Sequence, residues 1–148
     1  MSALFWHVGI VVKDIHAAIE SFSKAFQVTF NEPSRLVIDV EGDDGPPQRE
    51  VIATYSQQGP PYLELMQGQD SGYLSLENGE GVHHLGLWVP PGTTPSNTAQ
   101  FEALHTEAVI SGGRQLLTTP ASLHGVRVEL VDEANRAAIE SWISGVSS

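Results

Sequence analysis

From Phe5 to Val12 the chain alternates as a strand does, with Trp6, Val8, Ile10 and Val12 on one face and His7, Gly9 and Val11 on the other. The first face is apolar enough to pack on a helix, and the next residues supply one. Asp14 stands as its N-cap, and Ile15, Ala18, Ile19, Phe22 and Phe26 recur at helical spacing, so a helix is predicted to about Ala25. Short strands are predicted at Val28 to Phe30 and Arg35 to Val40, then an acidic, flexible turn from Glu41 to Pro47. Glu50 to Tyr55 and Tyr62 to Met66 read as two strands of a hairpin. The first half therefore reads βαβββ.

A polar connector with Tyr73, Leu74 and Leu76 leads to a second start. His84-Leu85-Gly86-Leu87-Trp88-Val89 repeats the pattern of His7-Val8-Gly9-Ile10-Val11-Val12, and Arg127-Val128-Glu129-Leu130-Val131 repeats that of Tyr62-Leu63-Glu64-Leu65-Met66. The order His, Glu, His, Glu is thus a duplication, with the second copy shorter between its marks. After the loop Pro90 to Asn97, a helix is predicted from Ser96 or Asn97 through Phe101, Leu104, His105 and Ala108, ended by Gly112-Gly113. Strands are predicted at Gln115 to Thr118 and Gly125 to Asp132, which leaves this half one strand short. A closing helix at about 133–144, capped by Asp132, presents Ala138, Ile139, Trp142 and Ile143. The expected architecture is α+β: two βαβββ-type modules, about 5–66 and 82–131, forming a curved, cupped mixed sheet with helices outside, in one domain spanning 1–148.

Composition narrows the chemistry. Hydrophobic residues make up 41% of the 148 positions, enough to bury a core. The net charge of −11 opposes binding to nucleic acid or to an anionic membrane. No apolar run approaches the roughly 20 residues that span a bilayer, and the N-terminus lacks the basic segment of a signal peptide, so a cytoplasmic protein is expected. With no cysteine, disulfides and thiolate chemistry are excluded, and any metal must take His, carboxylate or amide ligands.

Period two puts His7 with Gly9 and His84 with Gly86, while Glu64 and Glu129 lie opposite apolar neighbours that belong in the core. If each half curves with its helix outside, His7, Glu64, His84 and Glu129 point into one hollow. Two imidazoles and two carboxylates there suit Zn²⁺, Ni²⁺, Co²⁺, Mn²⁺ or Fe²⁺, with positions left for water or substrate. His83 is expected on the opposite face, packed or hydrogen-bonded. Tyr62, Met66 and Trp88 are expected on the cup face, where they could receive an apolar ligand. His16, His105 and His124 are given no role.

These residues resemble the vicinal oxygen chelate superfamily, which includes glyoxalase I, methylmalonyl-CoA epimerase, ring-cleaving dioxygenases and antibiotic resistance proteins. Within it, Asn78-Gly79-Glu80-Gly81-Val82-His83-His84 is similar to the entry into the second module of methylmalonyl-CoA epimerases, and Gln48-Arg49-Glu50-Val51 is similar to the stretch carrying their catalytic glutamate. The resemblance implies His7, Glu64, His84 and Glu129 as ligands of a divalent metal and Glu50 as the acid/base. Glu129 would join in catalysis if it leaves the metal during turnover. Glu64 stands where the epimerases usually have Gln, which brings the ligand set closer to that of glyoxalase I.

The implied activity is α-proton abstraction through a metal-stabilised enediolate, in an isomerase or epimerase acting on a small molecule such as an acyl-CoA, or in a glyoxalase I-like lyase. The alternative is a metal-free, drug-binding protein of the resistance type. A ring-cleaving dioxygenase fits less well because Glu64 supplies a fourth ligand. A homodimer is expected.

Overall fold

The computed structural model describes residues 4–145, so the ends of the expected 1–148 span lie outside the described residues. The first half contains strand β1 (Leu4–Val12), helix α1 (Ile15–Phe26) and strands β2 (Ser34–Glu41), β3 (Gln48–Tyr55) and β4 (Tyr62–Gln67). The second contains β5 (Gly81–Val89), β6 (Thr106–Ile110), β7 (Gln115–Thr118) and β8 (Arg127–Asp132), followed by helix α2 (Arg136–Ser144). No helix among the described residues is long and apolar enough to cross a membrane.

The strands close into a ring in the order β1-β4-β3-β2-β6-β7-β8-β5, with β5 antiparallel to β1 completing it. The sequence pattern predicts a curved, cupped sheet; it closes fully through β2 and β6, which pair through Val40 with Ile110 and Glu41 with Val109. β1 runs parallel to β4 and β5 parallel to β8, so each half repeats the same pairing.

Helix α1 forms where the 3.6-residue pattern placed it. Asp14 accepts a hydrogen bond from the Ala17 amide at 3.1 Å, and Gln27 ends the helix in a left-handed conformation. Ile15, Ala18, Ile19 and Phe22 cover Ile10, Val12 and Leu65 on the outer face of the sheet. The strand expected at Val28 to Phe30 reduces to a single bridge between Phe30 and Ser56.

The helix expected from Ser96 to Ala108 does not form. One 3-10 turn at Ala99–Phe101 seats Phe101 against Val89, Leu116, Val128 and Leu130, and the chain then extends into β6. The spacing of Phe101, Leu104 and Ala108 is helical, but Thr106, Val109 and Ile110 are β-branched, and Ala108 and Ile110 alternate into the ring. This supplies the strand by which the second half fell short in the sequence pattern. Helix α2, expected outside the sheet, packs Ile139, Trp142 and Ile143 on Trp6, Tyr55 and Trp88 instead, with Asn31 Nδ2 donating to the Trp142 carbonyl at 2.6 Å.

Candidate metal centre

The four strands β4, β1, β5 and β8 lie side by side, and their registers form two rows. In one row Glu64 of β4, Gly9 of β1 and His84 of β5 are neighbours; in the other, His7 of β1, Gly86 of β5 and Glu129 of β8 are. Each row reads carboxylate, glycine, imidazole, and the two run in opposite senses. The glycines clear space for the imidazole of the other half, not for their own neighbour two residues away. A Cβ on Gly9 would lie 2.1 Å from His84 Cε1, and one on Gly86 would lie 1.8 Å from His7 Cε1.

The result is a buried cluster. His7 Nε2 lies 2.9 Å from His84 Nε2, 3.4 Å from Glu64 Oε1 and 3.3 Å from Glu129 Oε1; His84 Nε2 lies 3.2 Å from Glu64 Oε1 and 3.7 Å from Glu129 Oε2. One donor atom from each of the four residues falls within 4.8 Å of every other. Atoms bound about 2.1 Å from a common ion stand about 3.0 Å apart at adjacent octahedral positions and about 3.4 Å apart in a tetrahedron, so little movement would close this set on a divalent cation. Glu64 Oε1 is buried without a hydrogen-bond partner, and cation coordination would satisfy it. The donor set fits a divalent metal.

Electrostatics hold the cluster in a charged form. Burial alone would lower the His7 pKa, but the close approach and negative charge of Glu129 and Glu64 outweigh it and raise the value to about 9. Burial likewise disfavours the Glu64 carboxylate, yet His7 and His84 hold its pKa well below the usual range. The two carboxylates thus favour positive charge at the centre, as they would favour a cation placed there.

His83 does not point to the opposite face. Gly9 pairs with His84 and Ile10 with Val82, so His83 is the extra residue of a β-bulge, which turns it toward its neighbour. Its Nδ1 lies 2.9 Å from His84 Nδ1, and its Nε2 lies 2.6 Å from the Tyr73 carbonyl. Burial, with the neighbouring His84 ring and the Arg127 guanidinium adding to it, lowers its pKa to about 3. A matching irregularity skips Trp6 on β1, since Phe5 pairs with Leu87 and His7 with Gly86. Trp6 therefore leaves the α1 side, lies beside His7 with ring centres 3.9 Å apart, and stacks on Trp88 at 4.0 Å. In both halves the residue before the candidate ligand histidine is bulged and buried against it.

Above the cluster is a cavity of about 460 Å³ whose walls include Leu36, Val51, Met66, Ile110, Ile139 and Trp142. Among the described residues, Glu64 and Glu129 are the only carboxylates that line it. Tyr62 and Trp88, expected on this face, line a separate outer recess with Trp6, Pro60 and Arg136, leaving Met66 as the member of that trio at the cavity.

Glu50 is not brought to the centre. Val51, Ala53 and Tyr55 face the cavity, so period two sends Glu50 the other way, where its exposed carboxylate accepts from Arg35 Nη1 at 2.9 Å. Sequence reading passed over Tyr55, although it shares the inward parity of Val51 and Ala53. It lies opposite Glu64 on β4, and burial followed by the Glu64 charge keeps its hydroxyl protonated well above the ordinary range. Arg114 was also passed over. Among the described residues it is the one basic side chain lining the cavity and makes no ion pair, whereas Arg35, Arg49, Arg127 and Arg136 are each paired with a carboxylate.

The turn at Glu41 to Pro47, expected to be flexible, is clamped. Arg49 grips both oxygens of Asp43 at 2.7 Å, and Asp43 Oδ2 accepts from the Tyr73 amide at 2.8 Å. The turn thereby anchors the connector that carries the Tyr73 carbonyl.

Comparison with known proteins agrees with this geometry. The family model described as glyoxalase/bleomycin resistance protein/dioxygenase superfamily matches residues 6–115, which include His7, Glu64 and His84; Glu129 lies beyond and joins them through the sheet. A search of the curated proteins finds no match.

Among solved structures, a substituted Streptomyces coelicolor methylmalonyl-CoA epimerase in complex with 2-nitronate-propionyl-CoA is similar at TM-score 0.60 and 22% identity, over 86% of this chain and 95% of that one. The methylmalonyl-CoA epimerase from Mycobacterium tuberculosis is similar at TM-score 0.59 and 18% identity, over 91% of each chain. A hypothetical protein from Bacillus halodurans C-125 is similar at TM-score 0.59 and 16% identity, over 89% of this chain and 95% of that one. At such identities the likeness is one of fold. The family match over most of the chain establishes membership, and the chain belongs to the glyoxalase/bleomycin resistance protein/dioxygenase superfamily.

Proposed function

We propose that the protein is a metal-dependent isomerase, epimerase or lyase that removes a proton next to a carbonyl group of a small substrate. The observation that carries this reading is the buried cluster of His7, Glu64, His84 and Glu129 at a largely apolar cavity in which those two glutamates are the only carboxylates among the described residues. When bound there, a divalent ion would supply Lewis acidity toward paired substrate oxygens. His7, His84 and Glu64 hold the centre together; both contacts of Glu64 fall on its single orphaned oxygen.

Glu129 instead offers one oxygen to each imidazole, at 3.3 and 3.7 Å, and is the freer of the two to act as base. With Glu50 facing Arg35, the base in this reading is a residue of the cluster, as in glyoxalase I, and not a separate carboxylate. The Tyr55 hydroxyl, kept protonated beside Glu64, is placed to donate a hydrogen bond to a substrate oxygen. Arg114 would meet an anionic group on the far end of the substrate. A homodimer and an acyl-CoA substrate belong to the same proposal.

The test is solvent exchange followed by NMR. Metal-stripped protein reloaded with Co²⁺ or Mn²⁺ is incubated in D₂O with methylmalonyl-CoA and, separately, with the hemithioacetal of methylglyoxal and glutathione. Metal-dependent deuterium at the substrate carbon, absent in His84→Ala and reduced about 10²- to 10⁴-fold in Glu129→Gln, supports the reading. Exchange at full rate in Glu129→Gln removes that residue as base. The apolar walls also suit a binding protein without chemistry, and tight uptake of an apolar ligand by metal-free protein that shows no exchange when loaded would favour it.

A further inference from the structure

We propose that His83 is a positioning residue that presets His84 for metal binding by fixing its tautomer from the Tyr73 carbonyl. The inference rests on the metal centre proposed above.

The chain of donors has one consistent direction. A carbonyl oxygen only accepts, so at 2.6 Å the Tyr73 carbonyl requires His83 to carry its proton on Nε2. In a neutral ring His83 Nδ1 is then an acceptor, and its neighbour at 2.9 Å, His84 Nδ1, must donate to it. That leaves His84 Nε2 with a free lone pair, aimed at the other three candidate ligands. The contact between the two Nε2 atoms agrees, because with His84 Nε2 an acceptor the shared proton belongs to His7. Burial of His83 and His84, at 8% and 0% exposure, shields both bonds from water.

The bulge in β5 makes the relay possible, since a regular strand would put residues 83 and 84 on opposite faces. The carbonyl at its start is held as well, through the Tyr73 amide on Asp43 and the grip of Arg49. His7 has no counterpart: its Nδ1 finds no hydrogen-bond partner among the described residues, and the bulged residue beside it is Trp6. The two imidazoles are therefore unequal: His84 Nδ1 is held by a neighbour and His7 Nδ1 is not.

Long-range ¹H–¹⁵N NMR of the histidine rings in metal-free protein tests the relay directly. The expected result is His83 as the Nε2–H tautomer and His84 as the Nδ1–H tautomer. Replacing His83 with Leu should release His84 to a mixed or Nε2–H population and weaken Co²⁺ binding about 10- to 100-fold. His83→Asn, which keeps a carbonyl acceptor for His84, should restore most of that affinity, and thermal melts of both variants separate this effect from loss of folding.

An Nε2–H tautomer at His84 in the unmodified protein overturns the proposal, as does unchanged Co²⁺ affinity in folded His83→Leu. Failure of the unmodified protein to bind Co²⁺ at all would instead sink the metal centre, while the ring signals still decide the tautomers.

Discussion

The two glycines between the candidate ligands show how closely the centre depends on single atoms. Gly86 has no conformational reason to be glycine that outweighs the His7 ring lying where its Cβ would be. Gly86→Ala should therefore push His7 out of the cluster, lowering Co²⁺ affinity by at least about tenfold in a titration while costing about 1–3 kcal/mol of stability through overpacking. The Asp43 and Arg49 pair is as sensitive. Both side chains are almost fully buried, and Asp43→Ala, by leaving the Arg49 charge unpaired, should cost about 3–5 kcal/mol in a denaturant melt. Hydrogen bonding from Arg49 lowers the Asp43 pKa against the opposing effect of burial. The carboxylate then contributes stability above its unfolded value of about 3.9 and loses it as pH falls through the lower folded value, so the melting temperature should drop as the solution is acidified below about pH 4.

At the scale of elements, α2 and the stretch between β5 and β6, which has a 3-10 turn where the first half has α1, are where the chain departs from a simple doubling. Helix α2 lies across the ring and gives Ala138, Ile139 and Trp142 to the cavity wall, with the Trp142 ring edge-on to Tyr55 at 5.1 Å. Ile143 is its buried anchor against Trp6, Tyr55, Trp88 and Val131. Ile143→Ala should cost about 2–5 kcal/mol, read as a lower denaturant midpoint, and a variant this loosened should also bind apolar probes of the cavity more weakly. The sequence pattern predicts a helix running into β6 because Phe101, Leu104 and Ala108 fall at helical spacing, yet Phe101 closes a 3-10 turn, Leu104 follows it and Ala108 belongs to the strand beyond. A periodicity that straddles two elements cannot be told from one that runs through a single element until the pairing partner is known, and here β2 and β7 are those partners.

For the whole molecule, the cluster joins β1 and β4 of one half to β5 and β8 of the other, so a bound cation would cross-link both repeats. Chelation should lower the melting temperature and Co²⁺ should restore it, since a ligand present at about 1,000 times its dissociation constant stabilises the folded state by about 4 kcal/mol. An unchanged melt over that range would mean that the site is not occupied. What the sequence by itself determined was the repeat: His7, Glu64, His84 and Glu129 could be marked because a pattern that occurs twice in order is visible along the chain, and period two assigned them a common face. Helical spacing placed α1 and its cap as well, since a helix with an N-cap is a local structure. Tertiary structure decided the rest. Two strand irregularities, legible only as pairings between β1 and β5, turned Trp6 and His83 toward the centre against the alternation rule. Register across β1 and β5 assigned each glycine to the imidazole of the opposite half. Inward parity on β3, set by what packs against it, put Tyr55 in the cavity and Glu50 beside Arg35. Local pattern encodes which residues alternate; only the closed sheet determines which strand each of them faces.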